Sequence, residues 1–165
     1  MGSRCRDKRV PWHEFFMQQA FSIAERSTCN RRKIGAVAVK EKRIIACGFN
    51  GAPRGAPHCL GKKCYREEHN IPSGERSELC WAVHAEVNLL AQVARFGGPS
   101  LKDADVYCTH QPCISCLKDL INAGIRTVYY VYSYPVPSFY GEVLSSTNIK
   151  LVRLEPPTLV VNNND

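Results

Sequence analysis

His84-Ala85-Glu86 and, 25 residues further on, Pro112-Cys113-Ile114-Ser115-Cys116 constrain this chain more than any other feature. Together they offer one imidazole and two thiols, with a carboxylate beside the imidazole. Structural zinc is usually closed by four protein ligands, whereas catalytic zinc keeps one position for water. A His/Cys/Cys set therefore predicts an open metal centre, and the fold has to bring two distant segments to one point. Both segments fall at predicted helix starts. Cys113 and Cys116 stand three apart in a first helical turn, so their sulfurs share a face. Pro112 fits just ahead of them because its missing N–H costs little there. The positive end of the helix also favours thiolates. His84 opens the other helix. Glu86, two residues later, points away from the imidazole and is left to move protons rather than ligate. A closed knuckle of the Cys-x-x-Cys type is the plain alternative; the His-x-Glu pair and Pro112 argue against it.

The chain has 165 residues, of which 44% are apolar and 22% charged, as in an ordinary globular domain with a real core. One domain is expected over 1–165, with its core at about 12–154 and a tail at 155–165. No apolar run approaches the roughly 18 residues of a membrane span, and the basic N-terminus lacks an apolar signal segment. The expected setting is cytoplasmic. Nine cysteines without a secretion signal point to metal binding rather than a disulfide framework. The net charge of +7 suits an anionic partner, either small phosphates or nucleic acid. Acidic residues are interspersed with the basic ones, so a solvated surface explains the charge equally well.

Trp12 to Arg26 reads as an amphipathic helix with Phe15, Phe16, Ala20, Ile23 and Ala24 on its apolar face. Ile34 to Val39 and Ile44 to Phe49 read as a hairpin around Lys40-Glu41-Lys42-Arg43. After the helix opening at His84 come a strand (Val106 to Thr109), a helix (Cys113 to Ala123), a strand (Thr127 to Tyr132) and a final strand (Ile149 to Leu154). The fold class is α/β, with a mixed sheet and helices on both faces. Both ends, Gly2-Ser3-Arg4 and Pro156 to Asp165, read as the least ordered parts.

Asn50 to Trp81 has no period. So long a structureless stretch is unusual unless it is functional or held by something else. Cys59, Cys64 and Cys80 lie in it, and Cys29 precedes it. A second, structural zinc on these four thiols would fix the loop, with His58 and His69 as spare ligands. Buried free thiols are the alternative. Cys5, Cys47 and Cys108 read as one terminal and two strand-buried residues without a role.

The order Arg26-Ser27-Thr28-Cys29, Ile34-Gly35-Ala36, Gly48-Phe49-Asn50-Gly51, His58-Cys59, Cys64-Tyr65 and Cys80, ahead of His84-Ala85-Glu86-Val87-Asn88, resembles the deoxycytidylate deaminases. It looks most like the bacterial competence-operon and phage forms, within the cytidine/deoxycytidylate deaminase superfamily. The resemblance spans about 12–154. It implies a three-layer α/β/α sandwich with a five-stranded mixed sheet, and conversion of dCMP to dUMP and ammonia for thymidylate synthesis. It also implies a hexamer regulated by dCTP and dTTP, with Mg2+ accompanying the triphosphate. Glu86 would take a proton from a zinc-activated water, deliver it to ring N3 and return one to the departing ammonia. Carried onto this chain, Asn50 would contact the deoxyribose and the Ala85 backbone the pyrimidine edge. Arg26 and Ser27 are candidates for the phosphate, Tyr134 for packing on the ring, and Arg95 for effector binding. Two features depart from the pattern. Ser133 stands where relatives often have an acidic residue, and the stretch between Cys64 and Cys80 is longer than usual. Rival readings are a tRNA adenosine deaminase, a riboflavin-pathway deaminase without its reductase domain, and a non-catalytic zinc-stabilised nucleic-acid-binding module.

Overall fold

The two apolar runs around the charged tetrad form the expected hairpin: β1 (Gly35–Lys40) pairs antiparallel with β2 (Arg43–Phe49). Glu41 and Lys42 supply the turn with φ of 50° and 60°, the left-handed pair that a tight two-residue hairpin requires. The computed structural model describes residues 9–158. The first expected loose end, Cys5 and residues 159–165 lie outside the described residues.

β3 (Asp105–His110) joins β1 antiparallel, and then runs parallel to β4 (Thr127–Tyr132), which is parallel to β5 (Lys150–Arg153). The order β2-β1-β3-β4-β5 is the mixed five-stranded sheet expected. Helix α1 (Trp12–Ala24) covers one face through Phe16, Met17, Ala20 and Ala24. Its stripe is turned from the one read in the sequence: Phe15 is 38% exposed and Met17 takes the inward place. The other face carries α3 (Ala85–Phe96), α4 (Ile114–Asn122) and a six-residue helix, α5 (Tyr140–Ser145). Leu89, Leu117, Leu120, Val106 and Val128 are fully buried between these helices and the sheet. The sequence reading missed α5, which is too short to display a helical period and follows Pro135 and Pro137.

The 50–81 stretch is mostly turns, with a one-turn helix α2 (Tyr65–Glu68) and a 3-10 turn at Ser77–Leu79. It is pinched at its base, where Gly51 N–H donates to Val83 at 3.1 Å and Val83 N–H donates to Gly51 at 2.8 Å. That bridge returns the chain beside Asn50 and starts α3 at the right place. Gly48 fixes how closely α3 lies on β2, because a Cβ there would fall on the Ala85 carbonyl and the Leu89 amide. Gly48→Ala is therefore expected to destabilise the protein by about 3 kcal/mol. Urea unfolding checks this; an unchanged midpoint would mean that α3 has room to shift.

Candidate active site

His84 and Cys113 are not the first residues of their helices. Each is the extended residue just before one, with φ, ψ of −70°, 155° and −67°, 168°. This places both side chains at the positive helix ends, with Cys116 one turn into α4. His84 Nδ1 stands 3.3 Å from Cys116 Sγ and 3.5 Å from Cys113 Sγ. A tetrahedral zinc bonded at its usual lengths separates nitrogen and sulfur ligands by about 3.5 Å. The residues fit the ion. Among the described residues they are also the one group of three or more such donors within 4.8 Å of one another. The Cys113 thiol is held far below its ordinary range, chiefly by its contact with Cys116 and then by the His84 imidazole. Tyr140, buried in α5, donates its hydroxyl to the Pro112 carbonyl at 2.9 Å and braces the turn ahead of Cys113. Glu86 is 4% exposed, and burial raises its carboxyl above the usual range, partly offset by a backbone hydrogen bond and then by the nearby His84.

His84, Glu86 and Cys113 border a cavity of about 70 Å³ that also takes in Asn50, Tyr134, His110 and Gln111. Asn50 is a buried hub: its Oδ1 accepts from Ser27 Oγ at 2.6 Å and Ile34 N–H at 2.9 Å, and its Nδ2 donates to the Arg32 carbonyl at 2.9 Å. Ser27 thus meets the site through Asn50. Ala85 is fully buried at the start of α3. Arg26 is exposed just past α1 and does not border the cavity. Arg95 lies in the last turn of α3, away from the cavity, with its guanidinium 5.2 Å from the exposed Phe96 ring.

Three arginines that sequence reasoning did not single out, Arg31, Arg32 and Arg66, do border the cavity. Arg66 is only 5% exposed, and its Nε, like Arg31 Nη1, is buried without a hydrogen-bond partner. Arg32 lies 5.5 Å from the Tyr134 ring centre. Burial and Arg32 together lower His110 to about 4, so it is neutral near pH 7. Nothing local marks these residues: Arg31-Arg32-Lys33 reads as a solvated run, and Arg66 sits among carboxylates. The net positive charge was the available signal.

Cys29, Cys59, Cys64 and Cys80 converge on a second cavity of about 180 Å³, adjoining the first. Burial, followed by the other three thiols, raises Cys59 above its ordinary range. The donor type suits zinc, although the four sulfurs are spread more widely than the His84 group. His58 and His69 do not border this cavity; His69 stacks on Tyr65 at 4.0 Å. Cys108 is buried in β3 and Cys47 half-buried in β2.

Residues 10–132 match the family model described as the cytidine and deoxycytidylate deaminase zinc-binding region. The chain belongs to this family. It is 35% identical over 155 residues to ComE operon protein 2 of Bacillus subtilis, covering 94% of this chain and 77% of that one. It is 34% identical over 149 residues to the deoxycytidylate deaminase of Schizosaccharomyces pombe, covering 90% of this chain and 46%, under half, of the yeast protein. The crystal structure of the dCMP deaminase of cyanophage S-TIM5 in complex with dCMP and dUMP superposes with a TM-score of 0.68 at 29% identity, over 86% of this chain and 95% of that one. Among the described residues, no helix is long and apolar enough to cross a membrane.

Proposed function

We propose that this chain hydrolyses dCMP to dUMP and ammonia. The observation that carries the reading is the placing of Arg31, Arg32 and Arg66 on the same small cavity as Glu86, His84 and Cys113. A site for a neutral nucleoside has no use for three guanidiniums, two of them with buried unpartnered nitrogens. Such nitrogens suit an anionic oxygen.

His84 Nδ1, Cys113 and Cys116 would hold a zinc ion, which would supply Lewis-acid activation of a water. Glu86 would accept one proton of that water and pass it to N3 as the oxygen adds to C4; the water's second proton, carried by Glu86 to the amine, leaves with it as ammonia when the C4–N bond breaks. Its burial suits the work, because a raised carboxyl pKa makes Glu86 a better proton acceptor than an exposed carboxylate. Arg31 and Arg32 take the 5′-phosphate, a role for which the family resemblance makes Arg26 and Ser27 the candidates. Asn50 has one Nδ2 hydrogen left for the deoxyribose, and Ser27 fixes its orientation. The Ala85 N–H, in the first helical turn and so without an intrahelical acceptor, meets the pyrimidine edge. Tyr134 packs beside the ring. Cys29, Cys59, Cys64 and Cys80 draw together on a second zinc that holds the 50–81 loop against the site. The family likeness extends the reading to dCTP and dTTP as effectors near Arg95, with Mg2+ on the triphosphate, a hexamer and a cytoplasmic setting. The tRNA deaminase and zinc-module readings are not favoured, since several relatives matched at 33–38% identity are deoxycytidylate deaminases.

Ammonia release from dCMP and from deoxycytidine tests the reading. The expected preference for dCMP in kcat/KM is about 100-fold or more, and Arg32→Ala should raise the KM for dCMP by about 10-fold or more. Equal turnover of the two substrates would overturn the nucleotide assignment.

A further inference from the structure

Ser73, in the short turn Pro72-Ser73-Gly74-Glu75, borders the cavity, and that turn is tied to the arginine end from several directions. The buried Arg66 donates through Nη2 to the Pro72 carbonyl at 2.7 Å and also to the Glu75 carbonyl. Ser73 Oγ accepts from Arg31 Nη2 at 3.3 Å and from Arg32 Nη2 at 3.1 Å. Gly74 N–H donates to the Tyr134 hydroxyl at 3.1 Å. Gly74 has φ of 89°, and a Cβ there would meet the Pro135 side chain at 2.8 Å and its carbonyl at 2.9 Å. The turn is thus anchored to α2, to the segment ahead of β1 and to the segment after β4.

Two guanidiniums converge on one neutral hydroxyl. Arg31 has Glu67 at 3.7 Å on its Nε, while Arg32 has no carboxylate partner among the described residues. A hydroxyl offers two acceptor lone pairs and one donor. Both lone pairs of Ser73 face arginines, so its proton remains for an acceptor. An anionic oxygen between the three groups would satisfy that proton and bring charge to both guanidiniums.

We propose that the 72–75 turn sets which nucleotides the site accepts: Ser73 donates to the 5′-monophosphate, and the anchored turn closes the space that a second phosphate would need. This rests on the nucleotide reading above. Ser73→Ala and Gly74→Ala test it, the first by removing the donor and the second by pushing the turn off Pro135. The measurements are kcat and KM for dCMP and deoxycytidine, and inhibition of dCMP turnover by dCDP. Ser73→Ala is expected to lower the dCMP/deoxycytidine ratio of kcat/KM by about tenfold, mainly through the KM for dCMP. Gly74→Ala should strengthen dCDP inhibition by about tenfold. An unchanged ratio in Ser73→Ala, or dCDP competing with wild-type protein as well as dCMP does, overturns the inference while leaving the nucleotide reading intact. Wild-type protein that is inert towards dCMP removes both.

Discussion

Glu86→Ala is expected to lower dCMP turnover by about 10³-fold while the protein keeps its catalytic zinc. The two halves of this expectation come from different features of the site. Glu86 is buried beside the donors but belongs to no tetrahedral set with them, since His84 Nδ1, Cys113 Sγ and Cys116 Sγ already stand at zinc-ligand spacing. Removing its carboxyl takes away the group that moves protons between water, N3 and the amine, and leaves the ligands in place. Steady-state ammonia release and zinc content, measured on the same preparation, check both halves. Activity near the wild-type level would refute the role of Glu86; zinc lost together with activity would make it a structural residue.

Purified protein is expected to contain two zinc ions per chain. Cys113→Ala should remove one of them together with all measurable turnover, because the remaining imidazole and thiol cannot hold a catalytic ion firmly. Cys59→Ala should remove the other and loosen the 50–81 loop, raising KM through Arg31 and Arg66, which border both cavities. Mass spectrometry under native conditions reads the count directly. One zinc in the wild type, lost in Cys113→Ala, would leave the four loop thiols as buried free cysteines.

Much of this site is legible in the sequence because its chemistry depends on local spacing. His-x-Glu and Pro-Cys-x-x-Cys each place their donors through one helical turn, so the ligands could be named before the fold was known. Strands 35–40, 43–49 and 127–132 likewise carry their own apolar runs and turn residues. The phosphate end does not work that way. Arg31, Arg32, Arg66 and Ser73 come from two segments that tertiary folding brings together, with the Gly51–Val83 bridge closing the long loop at its base. An arginine that meets its neighbours by tertiary packing has the same local signature as one in solvent, whereas Arg26 stands out through its place in a family motif. Phe15 and Met17 differ for a related reason: adjacent apolar residues on a helix leave the stripe ambiguous by one position, and the sheet decides which turns inward.

The most direct test of the central claim is the conversion of dCMP to dUMP, followed by ultraviolet absorbance, by the zinc-loaded chain. Deoxycytidine and a tRNA anticodon hairpin are run alongside, and the dCMP reaction is repeated after chelation and after zinc is restored. Turnover of dCMP alone, abolished by the chelator and recovered with zinc, is the expected result. Silence on dCMP with inosine forming in the hairpin would contradict it, and would take the phosphate role of Arg31 and Arg32 with it.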